Sequence, residues 1–209
     1  MPTQTKETQH QITPEIALQN LKDGNHRFTL NTKRNRDLLG QVKQTATGQF
    51  PFASVVGCID SRVPNETIFD QGIGSIFSAR VAGNIINEDI LGSLEFACQV
   101  AGTKLIVVLG HTSCGAVKGA CDDVKLGNLT HLLAKIKPSV EATSSEDGAD
   151  RSSQNSTFVN AVAETNVNFA IEQIRAKSEV LKVLEDEGKI AIVGAMYDVA
   201  NGQVEFYKA

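Results

Sequence analysis

Residues 104–109, Lys-Leu-Ile-Val-Val-Leu, form a short apolar run with no polar alternation, closed by Gly110-His111. A run of this length and composition reads as a strand buried inside a sheet whose two faces are both covered. Three other segments read as its partners. They are 52–59 (FASVVGCI), set between Pro51 and Asp60, then 75–81 (SIFSARV) and 190–199 (IAIVGAMYDV). Helical patterns lie around and between them. One starts at Thr13, a candidate N-cap with Pro14 at the first helical position and Glu15 at the positive end of the dipole. Ile16, Leu18, Leu21 and Phe28 are expected to form its apolar face. Others cover 90–100, capped by Asn87, and begin near Gly115. A long pattern over 157–187 carries a break near Ser178 and a stop at Gly188. This alternation predicts one α/β domain over residues 1–209, with a mainly parallel β-sheet flanked by helices. Asn201-Gly202 is a hairpin signal that should return 203–208 as an antiparallel edge strand. Residues 1–12 read as a flexible arm and 139–156 as a loop, and no repeat is present.

Composition narrows the function. The net charge is −4, the pI is about 5.6 and no Lys/Arg stripe exists, which argues against nucleic-acid partners. No apolar run approaches the ~20 residues that span a bilayer, so no membrane partner is expected. The first fifteen residues lack the apolar core of a signal peptide, so the chain is expected in the cytoplasm or in a compartment reached without a cleaved signal. Four cysteines in such a setting read as thiols or metal ligands rather than disulfides.

The chemistry gathers at two strand ends, Cys58-Ile59-Asp60-Ser61-Arg62 and His111-Thr112-Ser113-Cys114. Functional groups in parallel sheets collect beyond the carboxyl ends of strands, and neighbouring strands would bring these two motifs together. Two thiolates, an imidazole and a carboxylate suit a four-coordinate Zn2+, and soft thiolates disfavour Mg2+ and Ca2+. Cys58 and Asp60, two residues apart on extended chain, share a side. Arg62 is close enough to give Asp60 an alternative to the metal, a bidentate hydrogen bond from its guanidinium. A carboxylate with both options can vacate a position for water, which separates a catalytic zinc site from a structural one.

Together CIDSR and HTSC, about fifty residues apart, resemble the CxDSR and HxxC motifs of β-class carbonic anhydrases. RVP at 62–64, RVAGN at 80–84, GSLEFA at 92–97 and VVLGH at 107–111 extend the resemblance. It implies a zinc-dependent enzyme that hydrates carbon dioxide reversibly to bicarbonate and a proton, by attack of zinc-bound hydroxide on CO2. It implies one zinc per chain on Cys58, His111 and Cys114, with Asp60 as fourth ligand in a resting form or as the partner of Arg62 in the active one. Thiolate ligands should make the bound water less acidic than at three-histidine sites, so activity should rise toward alkaline pH. Gln49, nine residues before Cys58, matches a side chain that hydrogen-bonds substrate in the plant-like subtype. Phe77 matches an aromatic lining the CO2 pocket, Gly115 a glycine at that pocket, and Phe96 a position that often carries Tyr. A bicarbonate-inhibited subtype uses a Trp where this chain has Val55, although Arg80 matches its arginine; the plant-like subtype is the expectation. The resemblance also implies a homo-oligomer, dimer or tetramer, with the site near the interface.

Other readings remain open at this point. The same zinc motif serves enzymes acting on CS2 or COS, and a structural zinc module is a non-enzymatic alternative. Cys98 reads as a core thiol and Cys121 as a core or surface thiol; His10, His26 and His131 read as solvated. Gly72 and Gly74 form no complete phosphate loop.

Overall fold

The structure, a computed structural model, describes residues 3–207. The chain runs α1 (Lys6–His10), α2 (Pro14–Thr29), α3 (Leu38–Thr45), β1 (Ala53–Gly57), α4 (Asn65–Ile68) and β2 (Ile76–Arg80). A 3₁₀ turn at Ala82–Asn84 leads to α5 (Glu88–Glu95), which ends in a π-helical turn at Phe96–Val100. Then follow β3 (Leu105–His111), α6 (Gly115–Cys121), α7 (Gly127–Leu133), α8 (Lys137–Ala142), α9 (Ser156–Lys177), α10 (Glu179–Asp186), β4 (Ala191–Tyr197) and β5 (Val204–Phe206). The sheet order is β2-β1-β3-β4-β5, with the first four strands parallel and β5 antiparallel to β4. This is the expected single-domain α/β architecture.

The central strands are apolar throughout because both of their faces are covered. Leu105, Val107 and Leu109 of β3 pack with Leu21 of α2 and with Ile68 and Phe69. Ile106 and Val108 point the other way, into a core shared with α5, α6, α9 and α10. From β1 the chain passes first to β2 on one side and then to β3 on the other, so its direction of winding reverses between β1 and β3. A crevice opens at such a reversal, beyond the carboxyl ends of the two strands.

Several local signals act as read. Thr13 caps α2 through a hydrogen bond from Ile16 N–H, and Asn87 caps α5 through Ile90 N–H. Ser178 ends α9 and caps α10, and Gly188 adopts a positive φ of 67° after it. On α2, Leu21 is buried but Ile16 is 46% exposed, because the face turned inward is that of Ala17, Leu21 and Gly24. Gly24 lies against the Phe69 carbonyl so closely that any Cβ would collide with it.

Three expectations are corrected. Residues 1–12 were expected to be a flexible arm. Over 3–12 they instead carry α1, started by a capping box at Thr5 and anchored by the buried Gln9, whose Nε2 donates to Pro51 O (2.7 Å) and Ala101 O (2.8 Å); residues 1–2 lie outside the described residues. The expected loop at 139–156 is helical up to Ala142, with Arg151 donating to the Thr143 and Val140 carbonyls. The turn before β5 is wider than a two-residue hairpin, closed by Asp198 N–H to Gln203 O and Gly202 N–H to Asp198 O. Among the described residues no helix is long and apolar enough to cross a membrane.

Candidate metal centre

Parallel pairing of β1 with β3 aligns Gly57 with Leu109 and so delivers both strand ends to one place. Cys58 is the first residue past β1, and His111 is the last residue of β3. Ser113 then takes a left-handed conformation, φ 57°, that turns the chain and sets Cys114 at the start of α6. The Cys58 and Cys114 sulfurs and an imidazole nitrogen of His111 all lie within 4.8 Å of one another, and all three residues are buried. The two sulfurs are 4.0 Å apart. Their hydrogen bond makes the pair unequal: it holds the Cys58 thiol far below its usual pKa, whereas Cys114 is pushed up by that same bond and by burial.

His111 Nδ1 lies 2.9 Å from the Thr112 carbonyl, which can only accept, so the ring proton sits on Nδ1. Nε2 is fully buried and has no hydrogen-bond partner among the described residues. An unpaired buried nitrogen beside two sulfurs costs stability unless something binds it. A soft or borderline divalent metal satisfies all three groups at once, so the donor set fits a metal ion.

Asp60 stands beside this cluster and not in it. Its Oδ1 accepts from Arg62 N–H (2.9 Å) and Nε (2.9 Å), its Oδ2 accepts from Arg62 Nη2 (2.7 Å), and Oδ2 is 3.9 Å from His111 Nε2. Arg62 holds the Asp60 carboxyl well below the ordinary carboxylate range, so it is ionised at any physiological pH. Of the two arrangements open to Asp60 from the sequence, the structure has the Arg62-paired one. Arg80 fixes the same segment from the other side, donating to Cys58 O (2.9 Å) and Asp60 O (2.6 Å).

The remaining sequence candidates divide. Gly115 directly follows Cys114 at the start of α6 and is exposed, and a Cβ there would meet nothing. Gln49 and Phe77 lie elsewhere: Phe77 pairs with Ser54 near the amino end of β1, four residues before Cys58, or roughly 13 Å along an extended strand. There Phe77 meets Phe96 edge-on, with ring centroids 6.3 Å apart, in an open groove of about 770 Å3. Gln49 is exposed, four residues before β1 begins. One chain therefore does not unite these two residues with the metal cluster. Cys98 is buried, its thiol pushed up to about 11 by burial, and it stands apart from the donor cluster.

Sequence reasoning passed over the groups that hold these loops. Gly83 donates its N–H to Cys58 Sγ (3.3 Å), Asn160 accepts from Ser113 N–H (3.0 Å), and Asn166 donates to Gly83 O (2.9 Å). The available signal was an asparagine, Asn166, set among the buried Val162, Ala163, Val167 and Ala170 of α9. A polar side chain on an apolar stripe needs a partner there.

Comparison with known proteins agrees with this geometry. The sequence profile described as carbonic anhydrase matches residues 53–204. Carbonic anhydrase 2 of Mycobacterium tuberculosis is 35% identical over 196 residues, covering 91% of each chain. The carbonic anhydrase of Mycolicibacterium smegmatis is 36% identical over 198 residues, covering 92% of each. Among solved structures, the β-carbonic anhydrase CafA of Aspergillus fumigatus superposes with a TM-score of 0.71 at 28% identity, covering 93% of this chain and 90% of that one. A tetrameric β-carbonic anhydrase of Sordaria macrospora superposes at 0.68 with 24% identity, covering 81% and 90%, a likeness of fold. With its paired strand-end motifs folded into one buried donor cluster, the chain belongs to the carbonic anhydrase family and has the fold of the β class.

Proposed function

We propose that this chain catalyses CO2 + H2O ⇌ HCO3⁻ + H⁺ with one zinc ion held by Cys58, His111 and Cys114. The observation that carries this reading is the trio of buried donors with Asp60 held beside it, not on it, by the bidentate Arg62. Three donors leave a tetrahedral site one position short, the requirement for a catalytic metal. Zinc bound there would supply activation of water, lowering its pKa toward the value of about 7 known for the three-histidine carbonic anhydrase site. Asp60, ionised and acceptor-only, takes a hydrogen bond from the attacking water and aims its lone pair at the CO2 carbon. Arg62 keeps that carboxylate charged and turned from the donor cluster. Bicarbonate leaves by exchange with water, and the proton passes to buffer.

The open arrangement of Asp60 supports the plant-like subtype. So does Val55, buried in the core where the bicarbonate-inhibited subtype needs Trp, and so does Arg80, already engaged with two backbone carbonyls. Gln49 and Phe77 as substrate-side groups require a second copy of the chain to bring them to the cluster, so the active unit is a homo-oligomer, a dimer or a tetramer. The Sordaria macrospora proteins are tetrameric. Gly115 leaves the pocket open beside Cys114. We place the enzyme in the cytoplasm and treat residues 1–209 as one functional unit.

Stopped-flow CO2 hydration with parallel zinc determination tests the reading. Fast turnover that needs one zinc per chain and is lost in Cys58→Ser supports it. A zinc-replete but inactive protein would redirect the assignment to CS2 or COS hydrolysis or to a structural role.

A further inference from the structure

We infer that Asn166 of α9 is a positioning residue for the metal centre, acting through the backbone of Gly83 on the Cys58 sulfur; this rests on the reading of Cys58 as a metal ligand. Asn166 is buried, and both halves of its amide are used. Its Nδ2 donates to Gly83 O (2.9 Å), and its Oδ1 accepts from Ser139 Oγ (3.3 Å) on α8. Gly83 in turn donates its N–H to Cys58 Sγ (3.3 Å). The direction of that N–H depends on a backbone conformation that only glycine adopts without strain, φ 68° and ψ 20°. A Cβ here would also sit 2.5 Å from Ile136 Cδ1, so the turn is fitted closely into the core.

The rest of the turn is tied to the same strand end. Val81 N–H donates to Gly57 O (3.0 Å) and Arg80 Nε to Cys58 O. These bonds fix the turn at its start, whereas Asn166 holds the carbonyl of Gly83 itself. A hydrogen bond to a thiolate sulfur withdraws charge from it and orients its lone pairs, so the partner behind that bond tunes a metal it never touches. Six residues earlier on the same helix, Asn160 accepts from Ser113 N–H in the loop between His111 and Cys114. One helix thus braces both ligand-bearing loops. Asn166 is the sharper case because its chain of contacts ends on a ligand atom.

The test uses the full-length protein with two readouts besides turnover. These are the rate of zinc release to a chelator and the thiolate-to-metal charge-transfer band of the cobalt-substituted protein. Asn166→Leu, close in shape but without the amide, should release zinc about tenfold faster and shift the band, the range seen when groups behind a ligand are removed. Ser139→Ala frees only the other half of the amide; it should change both readouts in the same direction by less, and it carries the test if Asn166→Leu does not fold. Ile174→Ala, eight residues further along α9 in the buried core, is the stability control: it should lower the melting temperature and leave both readouts at wild-type values. Wild-type release and an unshifted band in the Asn166 and Ser139 variants overturn the inference, as does an equal change in Ile174→Ala. A wild-type protein that takes up no zinc overturns the metal reading instead.

Discussion

Replacing Arg62 with alanine removes two of the three hydrogen bonds that hold Asp60. The backbone bond from Arg62 N–H to Oδ1 survives, while the Nε–Oδ1 and Nη2–Oδ2 bonds are lost. Hydrogen bonds to a charged group are worth about 1.5–3 kcal/mol each where water is excluded. The Arg62 side chain is 50% exposed, so solvent screens the pair and about 1–2 kcal/mol in total is the appropriate scale. At 1.4 kcal/mol per factor of ten, that shifts the balance between arginine-paired and metal-facing carboxylate by roughly 5- to 30-fold. Stopped-flow CO2 hydration of Arg62→Ala should therefore show kcat reduced about tenfold with full zinc content and slower zinc release. Arg62→Lys, which keeps the charge but not the fork, should fall between. The sign of the pH effect is also set. Arg62 depresses the Asp60 pKa, and losing it lets that pKa rise toward an ordinary carboxylate value of about 3.9, still well below neutrality. The loss should thus not follow protonation of Asp60; because hydroxide competes with a metal-facing carboxylate for the same position, it should be largest near pH 6 and shrink toward pH 9. A zinc-replete Arg62→Ala enzyme with wild-type kcat would refute the role given to the pair.

Three further outcomes follow from other parts of the molecule. Asp70 is buried between Arg27 (2.6 Å) and Arg36; burial pushes its pKa up, but Arg36, Arg27 and the Arg34 N–H together hold it below the ordinary value. Its contribution is present above the ordinary carboxylate pKa and is lost as pH falls through its depressed value, so Asp70→Asn should cost about 3 kcal/mol in urea unfolding at pH 7 and show a flatter acid limb below about pH 4. Gly110→Ala would place a Cβ 2.6 Å from both Met196 Sδ and Val167 Cγ2 and should destabilise by about 1–3 kcal/mol in thermal melts; an unchanged melting temperature would show that the β3–α9 contact yields easily. Metal-free protein treated with hydrogen peroxide should join Cys58 to Cys114, two thiols and one peroxide giving a disulfide and two waters, since their sulfurs are 4.0 Å apart, whereas the buried, high-pKa Cys98 should remain a thiol in peptide mass analysis.

The parts that were legible in the sequence are those set by local chemistry. Buried strands announce themselves as unbroken apolar runs, and Thr13, Asn87, Ser178 and Gly188 act as caps and stops because their side chains, or the lack of one, satisfy helix ends directly. The convergence of the CIDSR and HTSC motifs was legible because a parallel sheet sends strand ends to one edge. The short helices α1, α3, α4, α7 and α8 were not read, since one or two turns carry too little periodicity to distinguish from loop. Lys6–His10 is wholly polar, and its order comes from Gln9 reaching carbonyls more than forty residues away. The π-helical turn at Phe96 left no mark in the residue pattern. Gln49 and Phe77 were grouped with the site by resemblance; the register of β2 on β1 puts Phe77 at the other end of the strands, and Gln49 precedes β1.

The distribution of the three donors over two strand ends also bears on how the chain matures. His111 and Cys114 are three residues apart, whereas Cys58 joins them only when β1 has paired with β3, closing a segment of more than fifty residues. Closing so long a loop has an entropic cost that the first metal contact alone does not recover. A metal that needs all three groups is therefore captured after the centre of the sheet has formed, and it then stabilises the folded state by mass action. Loading should thus lag collapse, and the metal should act as a latch on the β1–β3 pairing that keeps the central strands from separating.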